Sequence, residues 1–339
     1  MHTIGFPGLG MDDFTINDVA FTVFGIDVAW YGVIIVCAMI LAIFYIYFRS
    51  GRSGLIIDDL IDIAFAGIVP GIIGARLYYV FFDHLKNPTH YTTFKEIINI
   101  RSGGLAIYGG IIFGAIGVLV MMKIKKIHTL KFFDVLAPGV MIAQAVGRWG
   151  NFFNAEAYGS ETTLPWRMRI VFSSSNMIEV HPTFFYESLW NVIGFILINL
   201  VVLKHKKYDG QSLLSYLAWY GIGRMFIEGL RQDSLYIGNT GIRVSQALSF
   251  FLFIASLVLL IFFAVSKNKL PKYECIYAEG SKGYQKFANS LENSTPVDSG
   301  SDNDTAAENI VNDQNENKDI ENNEIKETEN PEDENGKNN

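Results

Sequence analysis

The sequence predicts an all-α integral membrane protein: seven transmembrane helices, small extracytoplasmic loop elements and a disordered acidic C-terminal tail. Three observations predict it. Seven largely apolar runs follow one another along the 339-residue chain, each near the ~20 residues a helix needs to cross a bilayer. Lys and Arg collect in alternate loops. Composition changes abruptly near residue 292: from there on 15 Asp and Glu face three Lys, a net of −12 where the whole chain carries −7, so residues 1–291 hold about +5.

The runs cover 28–48, 60–82, 104–122, 132–150, 184–203, 213–229 and 244–265. Pro70-Gly71 and Pro138-Gly139 fall inside two of them, which membrane helices tolerate when neighbours satisfy the freed backbone groups. One such run fits a core helix of a soluble protein; seven in succession do not. Arg49 and Arg52, then Lys123, Lys125, Lys126 and Lys131, then Lys204, Lys206 and Lys207, and finally Lys267, Lys269 and Lys272 all fall on one side. The positive-inside rule assigns that side to the cytoplasm, with the N-terminus extracytoplasmic and the tail cytoplasmic. The expected division is a seven-span domain over 1–272 and a tail over 273–339. Outer loops at 83–103, 151–183 and 230–243 have room for small folded pieces, and 167–172 alternates like a strand. The tail cannot bury enough apolar surface to offset its ordering entropy. Cys37 reads as a buried small hydrophobe, and neither it nor Cys275 has disulfide or metal-site spacing. The N-terminus lacks the features of a signal peptide.

On this topology the polar residues of six spans reach one depth on the outer side. They are Tyr31; Arg76 and Tyr79; Tyr108, near the start of the third span; the stretch Gly147-Arg148-Trp149-Gly150-Asn151-Phe152-Phe153-Asn154-Ala155-Glu156-Ala157-Tyr158-Gly159; His181 and Glu187; and Arg224, Glu228 and Arg231. The last three are spaced i, i+4, i+7 on one helical face. Each has a plain structural reading. Arg224 and Glu228 make an ion pair, the tyrosines are interfacial aromatics, His181 is a loop histidine, and Asp134 caps the start of the fourth span. Convergence favours a site, because Arg at membrane depth costs on the order of 2.5–3.5 kcal/mol on insertion scales.

The chemistry this implies is anion handling. Arg76, Arg148, Arg224 and Arg231 offer planar donor forks that match phosphate and stay charged. Asn151 and Asn154 donate to neighbouring oxygens, while Glu156, Glu187 and Glu228 orient the arginines or accept a proton. Nothing supports a metal, a nucleotide or a serine nucleophile, and no cofactor is expected. No nucleophilic cysteine is evident, so a reacting thiol would come from the substrate. A transporter of an anionic solute is the rival reading. It is disfavoured by the apolar inner half and the lack of an internal repeat.

The stretch 147–159, Gly-Arg-x-Gly-Asn-Phe-x-Asn-x-Glu-x-x-Gly, resembles the signature of the bacterial prolipoprotein diacylglyceryl transferases. Trp30-Tyr31-Gly32, Gly74-Ala75-Arg76-Leu77-Tyr78-Tyr79, Ser102-Gly103-Gly104, the run from His181 to Glu187, that from Arg224 to Arg231, and Arg243-Val244-Ser245-Gln246 resemble further family blocks in order, over about 25–265. The resemblance implies a multi-pass enzyme of the bacterial inner (cell) membrane, and a monomer without nucleic-acid partners is expected. It would move the diacylglyceryl group of phosphatidylglycerol to the lipobox cysteine of a prolipoprotein signal peptide, among membrane lipids, as the first step of lipoprotein maturation. By the same resemblance Arg148 and Arg224 hold the phosphate, Asn151, Asn154, Glu156 and Gly159 shape the pocket, and Tyr31, Glu228 and Arg231 support it. Many members resemble a form with His where this chain has Tyr108. A phenol with a reference pKa of about 10 is a poor base, so Tyr108, His181 and Glu156 all stand as candidates for the thiol proton.

Overall fold

The apolar runs become helices with extended, strand-built caps at one end. The computed structural model describes residues 1–50, 54–87, 90–100, 103–173, 176–232, 241, 243–265 and 275–294. The chain runs β1 (His2–Phe6), a 3-10 turn (Pro7–Leu9), β2 (Met11–Ile16), β3 (Val19–Val23), β4 (Ile26–Ala29), α1 (Trp30–Ser50), α2 (Ile57–Lys86), α3 (Phe94–Ile98), α4 (Ile107–Lys125) and α5 (Thr129–Phe153). It continues with β5 (Met168–Ser173), β6 (Asn176–Val180), α6 (Thr183–Leu197, extended by a π turn over Ile198–Val202), α7 (Gln211–Leu230), α8 (Val244–Val265) and α9 (Lys282–Ser294). It divides into two units, Met1–Asn289 and Ser290–Asn339; of the second, only 290–294 are among the described residues. Arg52, Ser102, the lysines of 267–272, most of the 230–243 loop and the tail beyond 294, for which disorder is expected, lie outside them.

Among the described residues, six helices are long and apolar enough to cross a membrane: α1, α2, α4, α5, α6 with its π turn, and α8. α7 is 20 residues long but carries Arg224 and Glu228, and it is not among those six. Lipid tails give helices no hydrophobic reason to associate, so close approach through small residues replaces it. Along the α2–α4 seam a Cβ on Gly117 would lie 1.8 Å from the Ala66 carbonyl oxygen, and one on Gly109 2.3 Å from that of Gly74. Between α6 and α7, Trp190 and Trp219 stack at 4.2 Å. Each indole N–H donates to the other residue's backbone carbonyl at 2.9 Å. Both otherwise costly indole donors are thereby satisfied inside the bundle.

Three findings depart from the sequence reading. Asp134, expected to cap its own helix, instead caps α7: its carboxylate accepts from the backbone N–H of Gly210 at 2.7 Å and of Leu213 at 3.0 Å, and Lys206 pairs with it at 3.0 Å. A negative charge at a helix N-terminus satisfies orphan donors and the helix dipole together. Cys37 is exposed on α1, not buried; on a spanning helix that face meets lipid, which suits an apolar thiol equally well. The third departure is the boundary at 272. Ile276 and Tyr277 are buried in a cluster with Leu60, Ile63, Met122 and Phe132. The Tyr277 hydroxyl donates to Asp59 at 2.6 Å and accepts from the Ile56 N–H at 3.1 Å. Backbone bonds tie His128 to Ile276 and Ala278 to Lys126. The folded part therefore reaches into 275–289.

At the opposite end, where α1 begins, an antiparallel sheet of order β2-β1-β5-β6 joins the N-terminal strands to the α5–α6 connection. The alternation at 167–172 is the signal of β5, whose Ile170 pairs with Ile4. Strands β1 to β4 were not anticipated. The sheet's core of Ile4, Ile16, Met168, Ile170 and Val180 packs on Ala155 and Phe184, so it rests directly on the 147–159 stretch.

Candidate functional site

The last two turns of α5 present Arg148, the first turns of α6 present Glu187, the last turns of α7 present Arg224 and Glu228, and Arg231 follows directly as its C-cap. Glu187 is the hub. Its Oε2 accepts from Arg148 Nη2 at 2.6 Å and its Oε1 from Arg224 Nη1 at 2.9 Å, with Arg231 Nη1 at 3.9 Å. Arg224 Nη2 reaches Glu228 at 2.6 Å, the i, i+4 pair expected from spacing. Arg243, just before α8, donates to the Glu228 carbonyl. Glu187 and Glu228 are buried; the guanidinium groups of Arg148, Arg224 and Arg231 reach the Glu187 carboxylate, and that of Arg224 also reaches Glu228. Four arginines gathered around two glutamates leave a formal excess of positive charge, and planar guanidinium donors suit an added anion such as phosphate.

Beside the cluster lies a small cleft lined by Glu187, Trp190, Asn191, Tyr220, Gly223, Arg224 and Ile227. Glu187 and Asn191 stand one turn apart on α6, and Tyr220, Arg224 and Ile227 share a stripe of α7. Trp190, Asn191 and Tyr220 were not singled out from sequence. The available signal was this i, i+4, i+7 spacing, which an apolar helix disguises.

The 147–159 stretch forms the rim. Arg148 Nη1 donates to Asn151 Oδ1 at 3.3 Å, and Asn151 Nδ2 to the exposed Glu156 at 2.9 Å. α5 ends at Phe153, and the Asn154 N–H bonds to the Gly150 carbonyl. The chain then turns through Ala155 and Ala157, both at positive φ (48° and 54°). Such non-glycine residues persist only where the surroundings over-determine them. Here Glu156 N–H binds the Asn151 carbonyl and Thr183 Oγ1 donates to the Ala157 carbonyl. Gly159 bridges Arg231 backbone to backbone and donates to the His181 carbonyl at 3.0 Å. A Cβ there would lie 2.7 Å from that of His181, so only glycine fits. These bonds fasten α5, α6 and α7 at one level.

The other expected residues divide. Tyr31 lies over Gly150, where a Cβ would meet its ring at 2.8 Å. His181 Nδ1 stands 3.2 Å from the Tyr186 hydroxyl, which also accepts from Trp166. Burial pushes the His181 imidazole below its ordinary value. Tyr108, at the start of α4, is 40% exposed. Arg76 spends four of its five N–H groups on backbone carbonyls: Ile97 (2.7 Å), Glu96 (2.8 Å), Gly103 (2.9 Å) and Gly104 (3.0 Å). Its guanidinium also lies over Tyr91 and Tyr79. Arg76 thus organises the loop before α4 and leaves little capacity for a phosphate.

A family model described as prolipoprotein diacylglyceryl transferase matches residues 18–262. The chain is 43% identical over 252 residues to a phosphatidylglycerol–prolipoprotein diacylglyceryl transferase of Clostridioides difficile, covering 74% of this chain and 96% of the relative. It is 44% identical over 259 residues to the enzyme of that name from Enterococcus faecalis (73% and 90%), and 40% identical over 267 residues to the one from Listeria innocua (76% and 93%). The family match takes in α1 to α7, most of α8 and every member of the arginine cluster, and with these relatives it places the chain in the prolipoprotein diacylglyceryl transferase family.

Proposed function

We propose that the protein transfers the diacylglyceryl group of phosphatidylglycerol to the lipobox cysteine of a bacterial prolipoprotein. The observation that carries the reading is the Arg148–Glu187–Arg224 cluster with its excess of positive charge at the end of apolar helices. That is the depth at which a phospholipid phosphate lies. The printed names of the relatives supply the two substrates.

Phosphatidylglycerol enters sideways from the outer leaflet. Arg148 and Arg224 bind its phosphate, while Asn151, Asn154, Glu156 and Gly159 shape the rim and Tyr31, Glu228 and Arg231 support it. The substrate thiolate attacks the glyceryl carbon in line. A C–S bond forms as the C–O bond breaks, and its electron pair leaves with glycerol phosphate. Fixed guanidinium groups stabilise that developing charge without reorganising. The thiol proton passes to Tyr108, His181 or Glu156, or to solvent, because a thiol with reference pKa near 8.5 in an arginine field needs little help.

The accompanying topology has seven spans, with α7 the least apolar and carrying the site. The protein acts as a monomer in the bacterial inner membrane. Its N-terminus is extracytoplasmic, and the transmembrane catalytic domain is followed by a cytoplasmic acidic tail that is largely disordered. The test is transfer from radiolabelled phosphatidylglycerol to a lipobox peptide. Arg148→Ala and Arg224→Ala should insert normally and form no thioether; wild-type transfer by either variant sinks the assignment.

A further inference from the structure

The β3–β4 hairpin stands apart from the four-stranded sheet. Among the described residues its strands pair only with each other, and β4 runs from Ala29 straight into Trp30, the first residue of α1. The register sets Phe21 opposite Val28 and Val23 opposite Ile26, with Thr22 opposite Asp27. Side chains alternate across a strand. Phe21, Val23, Ile26 and Val28 therefore share one face, and Thr22 and Asp27 the other. The polar face is satisfied internally, since Thr22 Oγ1 donates to Asp27 at 2.6 Å. The apolar face is open: Phe21 is 50% exposed, Val23 43%, Ile26 45%, and Phe24, in the turn, 100%. Phe24 also holds a positive φ of 50°. Turn chemistry would choose Asn, Asp or Gly there, not an aromatic.

A lone two-stranded hairpin is marginal in water, and a one-sided apolar patch marks a contact surface. We propose that this face, with Phe24 at its tip, rests in the headgroup–acyl boundary of the bilayer leaflet beside the arginine cluster. Continuity identifies the occupant: the hairpin prolongs α1, whose own exposed residues Val36, Ile40 and Phe44 form a lipid-facing surface. Trp30 at the junction stacks at 5.3 Å on Phe153, the last residue of α5. The leaflet concerned is thus the one at the site end. Residues 19–29 hold no Lys or Arg, so the contact is apolar and does not depend on anionic lipid, unlike a basic amphipathic helix. The inference rests on the membrane-spanning character of α1, not on the transfer chemistry, and each can fail without the other.

The experiment uses full-length protein carrying Cys37→Ser and Cys275→Ser, with one added cysteine at a time: Phe24→Cys, Phe21→Cys, Thr22→Cys or, on β2, Asp12→Cys. Each bears an environment-sensitive fluorophore and is reconstituted in phosphatidylcholine vesicles. Labels at 21 and 24 are expected to be quenched several-fold more by spin-labelled lipid than by aqueous iodide. Labels at 22 and 12 should show the reverse, and adding phosphatidylglycerol should change neither pattern. Free iodide access at 21 and 24 overturns the proposal, as does identical quenching at 21 and 22. Shielding that appears only on adding a lipobox peptide also overturns it, and would make the hairpin's partner a peptide.

Discussion

Arg148 drew attention in the sequence because charge at the end of an apolar run is costly; the structure shows what holds it. Glu187 accepts from Arg148 and Arg224 at once, so Glu187→Gln would leave two cations at membrane depth short of their counter-charge. Removing one partner of a buried pair costs on the order of 3–5 kcal/mol. The variant should lose thermal stability and at least about 10²-fold in transfer, the scale of a lost charge-stabilising contact. Unchanged transfer by Glu187→Gln would show that the hub is not needed. Tyr108→Phe addresses the proton. General-base help is worth roughly 10²–10⁴-fold, so a phenol that is not the base should cost less than about tenfold on removal. A larger loss in the transfer assay would make Tyr108 the acceptor. Arg76 shows how residue identity misleads: from sequence it joins the anion set, yet its bonds go to loop carbonyls. Composition cannot reveal whether donors are already used.

At the scale of elements, the helices were legible because an apolar run of the right length has few other solutions in lipid. Their ends moved by only a few residues. Their pairing was not legible, because it depends on which small residues meet. Gly194 and Gly223 make room for the indoles of Trp219 and Trp190; a Cβ would lie 2.3 Å and 2.1 Å from the respective Nε1 atoms. Overpacking of this kind costs typically about 1–3 kcal/mol. Gly223→Ala should therefore lower the melting temperature of the detergent-solubilised protein, and it should also reduce transfer, because Gly223 lines the cleft. A variant as stable as the parent would show that the indole pair can shift at no cost. The strands β1 to β4 went unseen because a short N-terminal stretch with no partner in sequence gives no period long enough to read.

For the whole molecule, the main revision concerns where folding stops. The expected boundary at 272 lies at the lysines that follow the last apolar run, while the composition turns acidic only near 292. Cys275 to Asn289 nevertheless packs against α2 and the α4–α5 connection, with Ile276 and Tyr277 fully buried. Burying a large apolar side chain is worth roughly 1.5–3 kcal/mol. Truncation after Lys272 should thus lower thermal stability measurably and reduce the yield of inserted protein, whereas truncation after Ser294 should change neither. Equal melting temperatures for the two truncations would show that the segment adds nothing.

The sequence by itself determined the membrane class, the helix positions and the family, because hydrophobic length and a dense local motif are one-dimensional signals. It also determined that arginines, asparagines and glutamates would meet at one end, since alternating spans leave no other place for them. Only the tertiary structure decided which of them touch. Glu187 became the hub, Asp134 turned to another helix, Arg76 was taken up by a loop, and the segment after α8 joined the fold. Each of those outcomes depends on distances of a few ångströms between residues far apart in the chain, and hydrogen bonds and ion pairs are decided at that range.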